Sequence, residues 1–233
     1  MLSDACADKK PSPPKALIID QLAATDSNPG FLEDTTRVLT VRGFNVSLVP
    51  AQNVKVDMYR ELPKENDKLV IIRSHSTGTL TFTNSPKDNI KIIGLFTSEP
   101  YTYNQYVPEQ IALEVGPFNY SDGGETYFGI NQYFVEKEMR GNFKGSTIIM
   151  TGCNGAETDG MAQAFFKKGA AVFIGWDNSV SADHTDKATE ILLKHLETEN
   201  MSPADAVKAT MAEVGPDPAF GGKLVAFEKP KSN

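Results

Sequence analysis

The sequence predicts an α/β fold in which a mostly parallel, six-stranded sheet carries helices on both faces. Short apolar runs alternate with helical segments along the chain, and this alternation is typical of βαβ units. The chain has 233 residues, 40% of them hydrophobic and 23% charged, as in ordinary globular proteins. This length suits one domain with its additions.

Six segments are predicted as strands, and four as helices between them. The strands are residues 15–20, 45–50, 68–74, 146–151, 170–176 and 221–229. The helices are residues 28–43, about 156–168, about 183–199 and 202–214. Gly43 and Gly169 are typical C-terminal ends for the first two helices. Ser202 and Pro203 supply the N-cap and the first turn of the last helix.

Residues 79–142 interrupt this alternation. They contain the apolar run "IKIIGLF", paired Tyr and Pro residues, and the turn "SDGGE" at 121–125. We interpret them as a hairpin-bearing insertion between the third and fourth strands that ends in a short helix near 131–140. Residues 1–14 are polar and rich in proline, which predicts a flexible tail, so a single domain is expected over 15–233.

Composition argues against several classes of partner. The net charge of −7 argues against nucleic acid or an anionic membrane. No apolar run reaches the roughly 18 residues that a membrane helix needs. We therefore expect a soluble protein without a membrane span, cytoplasmic or exported with its signal segment outside this sequence. The two cysteines, Cys6 and Cys153, predict no disulfide framework. Together with three scattered histidines they offer no metal-ligand spacing.

Two reactive side chains follow consecutive strands of the predicted sheet. His75 comes after the third strand in "RSHSTG", and Cys153 comes after the fourth in "TGCNGA". Sites in open parallel sheets form in the loops at the carboxyl ends of the strands, and neighbouring strands lie about 4.8 Å apart. An imidazole beside a thiol can accept its proton and later protonate a leaving amine. Gly152 and Gly155 would let a substrate backbone approach.

The structural alternative for each residue alone is ordinary. A lone cysteine beside a strand is usually a small buried hydrophobic residue, and a lone histidine at a strand end usually has a structural role. His184 lies near a helix start at the same end of the sheet and is a second candidate base. His195 is expected at the surface or half-buried.

The segments "VIIRSHSTG", "IIMTGCNGA" and "GAAVFIGWDNSV" together resemble the caspase–hemoglobinase fold of cysteine peptidases. Its members include caspases, metacaspases, gingipains, clostripain, legumain and separase, with the related CHAT domains. The resemblance covers residues 15–229. It implies a caspase-like fold, a catalytic dyad of His75 and Cys153, a peptide or protein substrate and no required cofactor. Family analogy also leaves room for a calcium ion, but no ligand cluster stands out.

The resemblance further implies donors for an oxyanion. The family usually has glycine directly after the histidine, where this chain has Ser76, with Gly78 two residues on. The backbone N–H groups of Ser76, Gly78 and Cys153 are therefore the expected donors.

A specificity pocket is implied as well. Arginine-specific metacaspases have an aspartate two residues before the cysteine, where this chain has Thr151. The Trp176–Asp177 pair looks like the separase and CHAT pattern after the fifth strand, so both residues and Thr151 are expected at the pocket. Asp177 then favours cleavage after Arg or Lys. The alternative is that Asp177 caps a turn with Asn178 and Ser179.

These observations predict a cysteine endopeptidase. One rival is a catalytically silent, CHAT-like interaction module. Another is a flavodoxin-like ligand-binding domain, but no glycine-rich phosphate loop follows the first strand.

Overall fold

The computed structural model describes residues 12–64, 67–82, 90–120 and 124–230. The strands of these residues are β1 (Lys15–Asp20), β2 (Asn45–Pro50), β3 (Asp67–Arg73), β4 (Ser76–Phe82), β5 (Ile90–Pro100), β6 (Val115–Asn119), β7 (Thr126–Asn131), β8 (Thr147–Met150), β9 (Val172–Trp176) and β10 (Leu224–Glu228). The helices are α1 (Pro29–Val41), α2 (Val56–Arg60), α3 (Val107–Ile111), α4 (Gln132–Lys137), α5 (Gly160–Lys167), α6 (Ala182–Leu193) and α7 (Pro203–Val214).

Six strands form the main sheet, in the order β10-β9-β8-β3-β1-β2. All neighbours are parallel except β10, which runs antiparallel to β9. The predicted α/β fold with a six-stranded, mostly parallel sheet is confirmed.

Helices cover both faces of this sheet. On β1, Ala16 and Ile18 belong to an apolar cluster with side chains of α1, α6 and α7. Leu17 and Ile19 point to the opposite face and belong to a cluster with side chains of α2, α4 and α5. Burial on both faces explains why the strands are nearly continuous apolar runs in the sequence.

The chain between β3 and β8 forms a second sheet, which is antiparallel and ordered β4-β5-β7-β6. It starts at Ser76, directly after His75. Leu95 and Phe128 of this sheet belong to the same apolar cluster as Leu17 of the main sheet, so the two sheets share a core. The predicted turn at 121–125 lies partly outside the described residues.

The predicted helix over 183–199 differs from the observed structure. It divides into α6 and a π-helical turn, Lys194–Thr198. The expectation that His195 is a surface or half-buried residue is wrong, because its exposed fraction is 4%. Its ring nitrogens lie 2.7 Å from Glu199 Oε2 and 2.8 Å from Glu213 Oε1, the latter on α7.

Candidate active site

His75 and Cys153 lie at the same edge of the main sheet. β3 and β8 are adjacent and parallel, and Ile72 is paired with Met150. His75 and Cys153 each follow these paired residues by three positions. The sequence therefore places the imidazole and the thiol in equivalent positions on neighbouring strand ends.

A small pocket of about 150 Å³ lies between these two loops. Its lining consists of Leu22, Asp26, Ser74, His75, Thr151, Gly152, Cys153, Val180, Ala182 and Thr185. The pocket thus joins the ends of β3 and β8 to the loop after β1 and to the start of α6.

The imidazole of His75 is held by the loop that follows β1. Its Nε2 lies 2.6 Å from Thr25 Oγ1 and 3.9 Å from Asp26 Oδ2. The Thr25 hydroxyl also lies 2.8 Å from the same Asp26 oxygen. When Thr25 donates its proton to Asp26, it accepts the Nε2–H of His75, and the lone pair of His75 is then on Nδ1. The sequence does not indicate a carboxylate for this role, because Asp26 is distant from His75 in sequence and lies in a loop without a motif.

The surroundings of His75 favour its neutral form. Burial lowers the pKa of His75 below its ordinary value, and the nearby Arg73 guanidinium lowers this pKa further. Asp26 opposes both effects and raises the pKa. A lowered pKa leaves the imidazole unprotonated near neutral pH, as a proton acceptor must be.

The thiol of Cys153 contacts the backbone of Val180, two residues before the start of α6. Val180 N–H donates to Sγ over 3.4 Å, and the thiol donates to the Val180 carbonyl over 3.5 Å. Among the described residues no hydrogen bond joins Cys153 to His75 directly. Both residues line the same pocket.

Glycine at position 152 is required by close packing of the two loops. A Cβ atom there would lie 2.3 Å from the Ser74 carbonyl oxygen and 2.4 Å from Ser76 Oγ. The Ser76 hydroxyl also donates to the carbonyl of Cys153. These contacts fix the loop of Cys153 against the loop of His75.

The turn around Cys153 uses some of its backbone N–H groups in hydrogen bonds and leaves others without an acceptor among the described residues. The N–H groups of Asn154 and Ala156 donate to the carbonyls of Asn178 and Trp176. Within the described part of the chain, no acceptor contacts the N–H of Cys153. The other two predicted donors belong to β4, where Ser76 is paired with Leu95 and Gly78 lies at a register shift.

A buried arginine holds the loop that contacts His75. Arg73 is fully buried, and its guanidinium donates to Asp186 (2.7 and 2.8 Å), to Asp20 (2.7 Å) and to the carbonyl of Asp26 (2.9 Å). Asn28, the N-cap of α1, donates to the same Asp186 carboxylate over 2.9 Å. This network was not predicted, since Arg73 appeared only as the polar end of a strand.

Trp176 and Asp177, which were expected at the specificity pocket, do not line the pocket between His75 and Cys153. Trp176 is buried beneath it, and its Nε1–H donates to Thr185 Oγ1 over 2.8 Å. Thr185 in turn donates to the carbonyl of Thr151 over 2.8 Å, and both threonines line the pocket. The Asp177 carboxylate accepts the N–H of Lys223 over 2.7 Å.

His184 also lies apart from the pocket. Its Nε2 is 3.2 Å from the Gly215 carbonyl oxygen, and its ring packs on Trp176 at a centroid distance of 5.6 Å. It faces the loop after α7, and it is not among the residues that line the pocket.

Comparison of the chain with protein-family models finds no match, and comparison with curated proteins finds none either.

Two further features concern ligands and membranes. Within residues 12–64, 67–82, 90–120 and 124–230, no group of three or more His, Cys, Asp or Glu side chains is placed to hold a metal ion. No helix in these ranges has both the length and the apolar character that crossing a bilayer requires.

Proposed function

We propose that this chain is a cysteine endopeptidase of the caspase-like group, with Cys153 as nucleophile and His75 as proton carrier. One observation carries the proposal. The thiol and the imidazole line the same pocket, at equivalent positions beyond two adjacent parallel strands. That arrangement is what nucleophilic catalysis by a weakly acidic thiol requires.

Acylation begins when His75 accepts the proton of the Cys153 thiol. The thiolate sulfur forms a bond to the peptide carbonyl carbon, and the electron pair of the carbonyl moves to its oxygen. The N–H of Cys153 stabilises this oxyanion, together with N–H groups of Ser76 and Gly78. Thr25 and Asp26 stabilise the imidazolium through Nε2.

Breakdown of this intermediate uses the same proton. The imidazolium donates it to the leaving nitrogen, the C–N bond breaks, and a thioester remains on Cys153. His75 then accepts a proton from water, whose oxygen attacks the thioester carbonyl. The Cys153 thiolate leaves and is protonated by His75, so the enzyme is regenerated without a cofactor.

A catalytically silent, CHAT-like interaction module is the second candidate. It is favoured by one observation: the thiol of Cys153 is hydrogen-bonded to Val180 and not to His75. In this alternative the thiol is a structural group of the turn.

Turnover of fluorogenic peptides separates the two candidates. We expect the wild-type protein to hydrolyse members of a panel that differ in the residue before the cleaved bond. Cys153→Ala should abolish hydrolysis, and Cys6→Ala is the matched control that should retain it. A folded wild-type protein that cleaves no member of the panel favours the interaction module, and equal cleavage by Cys153→Ala contradicts the proposed nucleophile.

Cleavage after Arg or Lys is proposed on the basis of the charge in the pocket. A buried cation needs a carboxylate within reach, and Asp26 supplies one in the pocket lining. Asp177, the carboxylate predicted from the sequence, instead accepts a hydrogen bond from the backbone N–H of Lys223. Asp26 is therefore the better candidate for recognition of a basic side chain.

Paired variants test this assignment. Asp26→Asn should lower kcat/KM for all peptides, because Asp26 faces His75, and should lower it for Arg peptides by about a further tenfold, because the carboxylate opposite the substrate cation is lost. Asp177→Asn should change kcat/KM by the same factor for Arg peptides and for uncharged peptides. The ratio of kcat/KM values for Arg and Leu peptides is the measurement. A ratio that changes only in Asp177→Asn restores the sequence-based assignment, and preference for acidic peptides contradicts basic specificity.

A further inference from the structure

The second sheet contributes an aromatic side chain to the surroundings of His75. Tyr120 directly follows β6, and its ring centroid lies 4.7 Å from that of the His75 imidazole. On its other side Tyr120 stacks on Phe96, at 4.8 Å and an interplanar angle of 13°. The imidazole thus has an aromatic neighbour that is itself held by packing.

A buried glutamine ties the same tyrosine to the backbone of His75. Gln21 is fully buried, and its Nε2 donates to the Tyr120 hydroxyl over 2.6 Å. Its Oε1 accepts the backbone N–H of His75 over 3.0 Å and the Ser74 hydroxyl over 3.1 Å. One side chain therefore connects Tyr120 to the residue whose ring Tyr120 contacts.

We propose that Tyr120 is a positioning residue for His75: its ring and the Gln21 bridge hold the imidazole against Thr25, with the other ring nitrogen facing the pocket. The inference rests on the proposed function. It also assigns a role to the second sheet, because Tyr120 directly follows β6 of this sheet and would form part of the active site.

Among the described residues, Asp26 and Arg73 act on the charge of the imidazole, Tyr120 contacts its ring, and Cys153 lines the same pocket. Burial raises the pKa of Tyr120, so its hydroxyl stays neutral while His75 titrates. Tyr120 therefore acts on His75 by excluding water and by fixing the ring, and not through a charge.

Proton NMR titration of the histidines tests this role without any substrate. The chain has three histidines, and the spectrum of His75→Ala assigns the His75 signal. In Tyr120→Ala the pKa of His75 should rise toward its ordinary value, since water reaches the ring. In Tyr120→Phe, which keeps the ring, this pKa should stay near that of the wild type. Tyr133→Ala removes a half-buried tyrosine from α4 and is the matched control.

Kinetics supply the second readout. Tyr120→Ala should lower kcat by about 10- to 100-fold with little change in KM, because a misplaced imidazole impairs proton transfer more than peptide binding. Tyr120→Phe should recover most of this loss. An unchanged His75 pKa in folded Tyr120→Ala overturns the inference, whether or not the wild type hydrolyses peptides. Absence of turnover in the wild type, with the expected pKa shift, counts against the proposed function alone.

Discussion

Replacing His75 by alanine is expected to lower kcat/KM for peptide hydrolysis by about 10²- to 10⁴-fold, which is the usual contribution of general acid–base catalysis. The pH profile should change as well. Because burial and Arg73 lower the pKa of His75, the wild type should keep its activity below the ordinary titration range of histidine. The decline at acidic pH reports protonation of the base, so it should be absent from the residual activity of His75→Ala.

His184→Ala is the matched control for this variant. His184 lies at the same end of the sheet, but it bonds Gly215 and packs on Trp176. We expect His184→Ala to keep near wild-type activity and to lose this activity over the same acidic pH range as the wild type. Equal losses in the two histidine variants would contradict the assignment of His75 as the base.

Replacing Asp186 by alanine is expected to lower the free energy of unfolding by about 3–5 kcal/mol, the cost of breaking a buried ion pair. The carboxylate is 3% exposed and accepts three hydrogen bonds, two from Arg73 and one from Asn28. Without Asp186, the fully buried guanidinium of Arg73 keeps only one of its two carboxylate partners among the described residues, Asp20. The same change should reduce activity, because Arg73 also bonds the backbone of the loop that contacts His75.

Urea denaturation measures this effect, and Asp34→Ala is its control. Asp34 pairs with Arg37 on the exposed surface of α1, where ion pairs contribute little to stability. The unfolding midpoint of Asp34→Ala should therefore stay close to that of the wild type. If Asp186→Ala unfolds at the wild-type urea concentration, the Arg73 network does not stabilise the fold.

The main sheet and its two reactive residues could be predicted because the information is local. Each strand is an apolar run, and His75 and Cys153 follow the apolar runs of β3 and β8. The position of a residue after a parallel strand decides the edge of the sheet at which it lies. β3 pairs directly with β8, so the two residues follow neighbouring strands.

The partners of these residues could not be predicted, because they are distant in sequence. Asp186 is 113 positions from Arg73, and Thr25 is 50 positions from His75. Tyr120 belongs to the segment whose strands form a separate sheet, and nothing in its local sequence indicates contact with His75. Asp177 illustrates the reverse case, since a local pattern pointed to the pocket while its carboxylate caps the backbone at Lys223.

Covalent trapping tests the central claim most directly. The protein is incubated with peptidyl acyloxymethyl ketones that carry Arg, Asp or Leu at the position before the electrophile, and adducts are mapped by mass spectrometry. A cysteine peptidase that uses the Cys153–His75 dyad should form one time-dependent adduct, at Cys153 and not at Cys6, and His75→Ala should form it much more slowly. The proposed dyad would be contradicted if the folded wild type gained no adduct at Cys153. It would also be contradicted if Cys6 and Cys153 were labelled equally in both the wild type and His75→Ala.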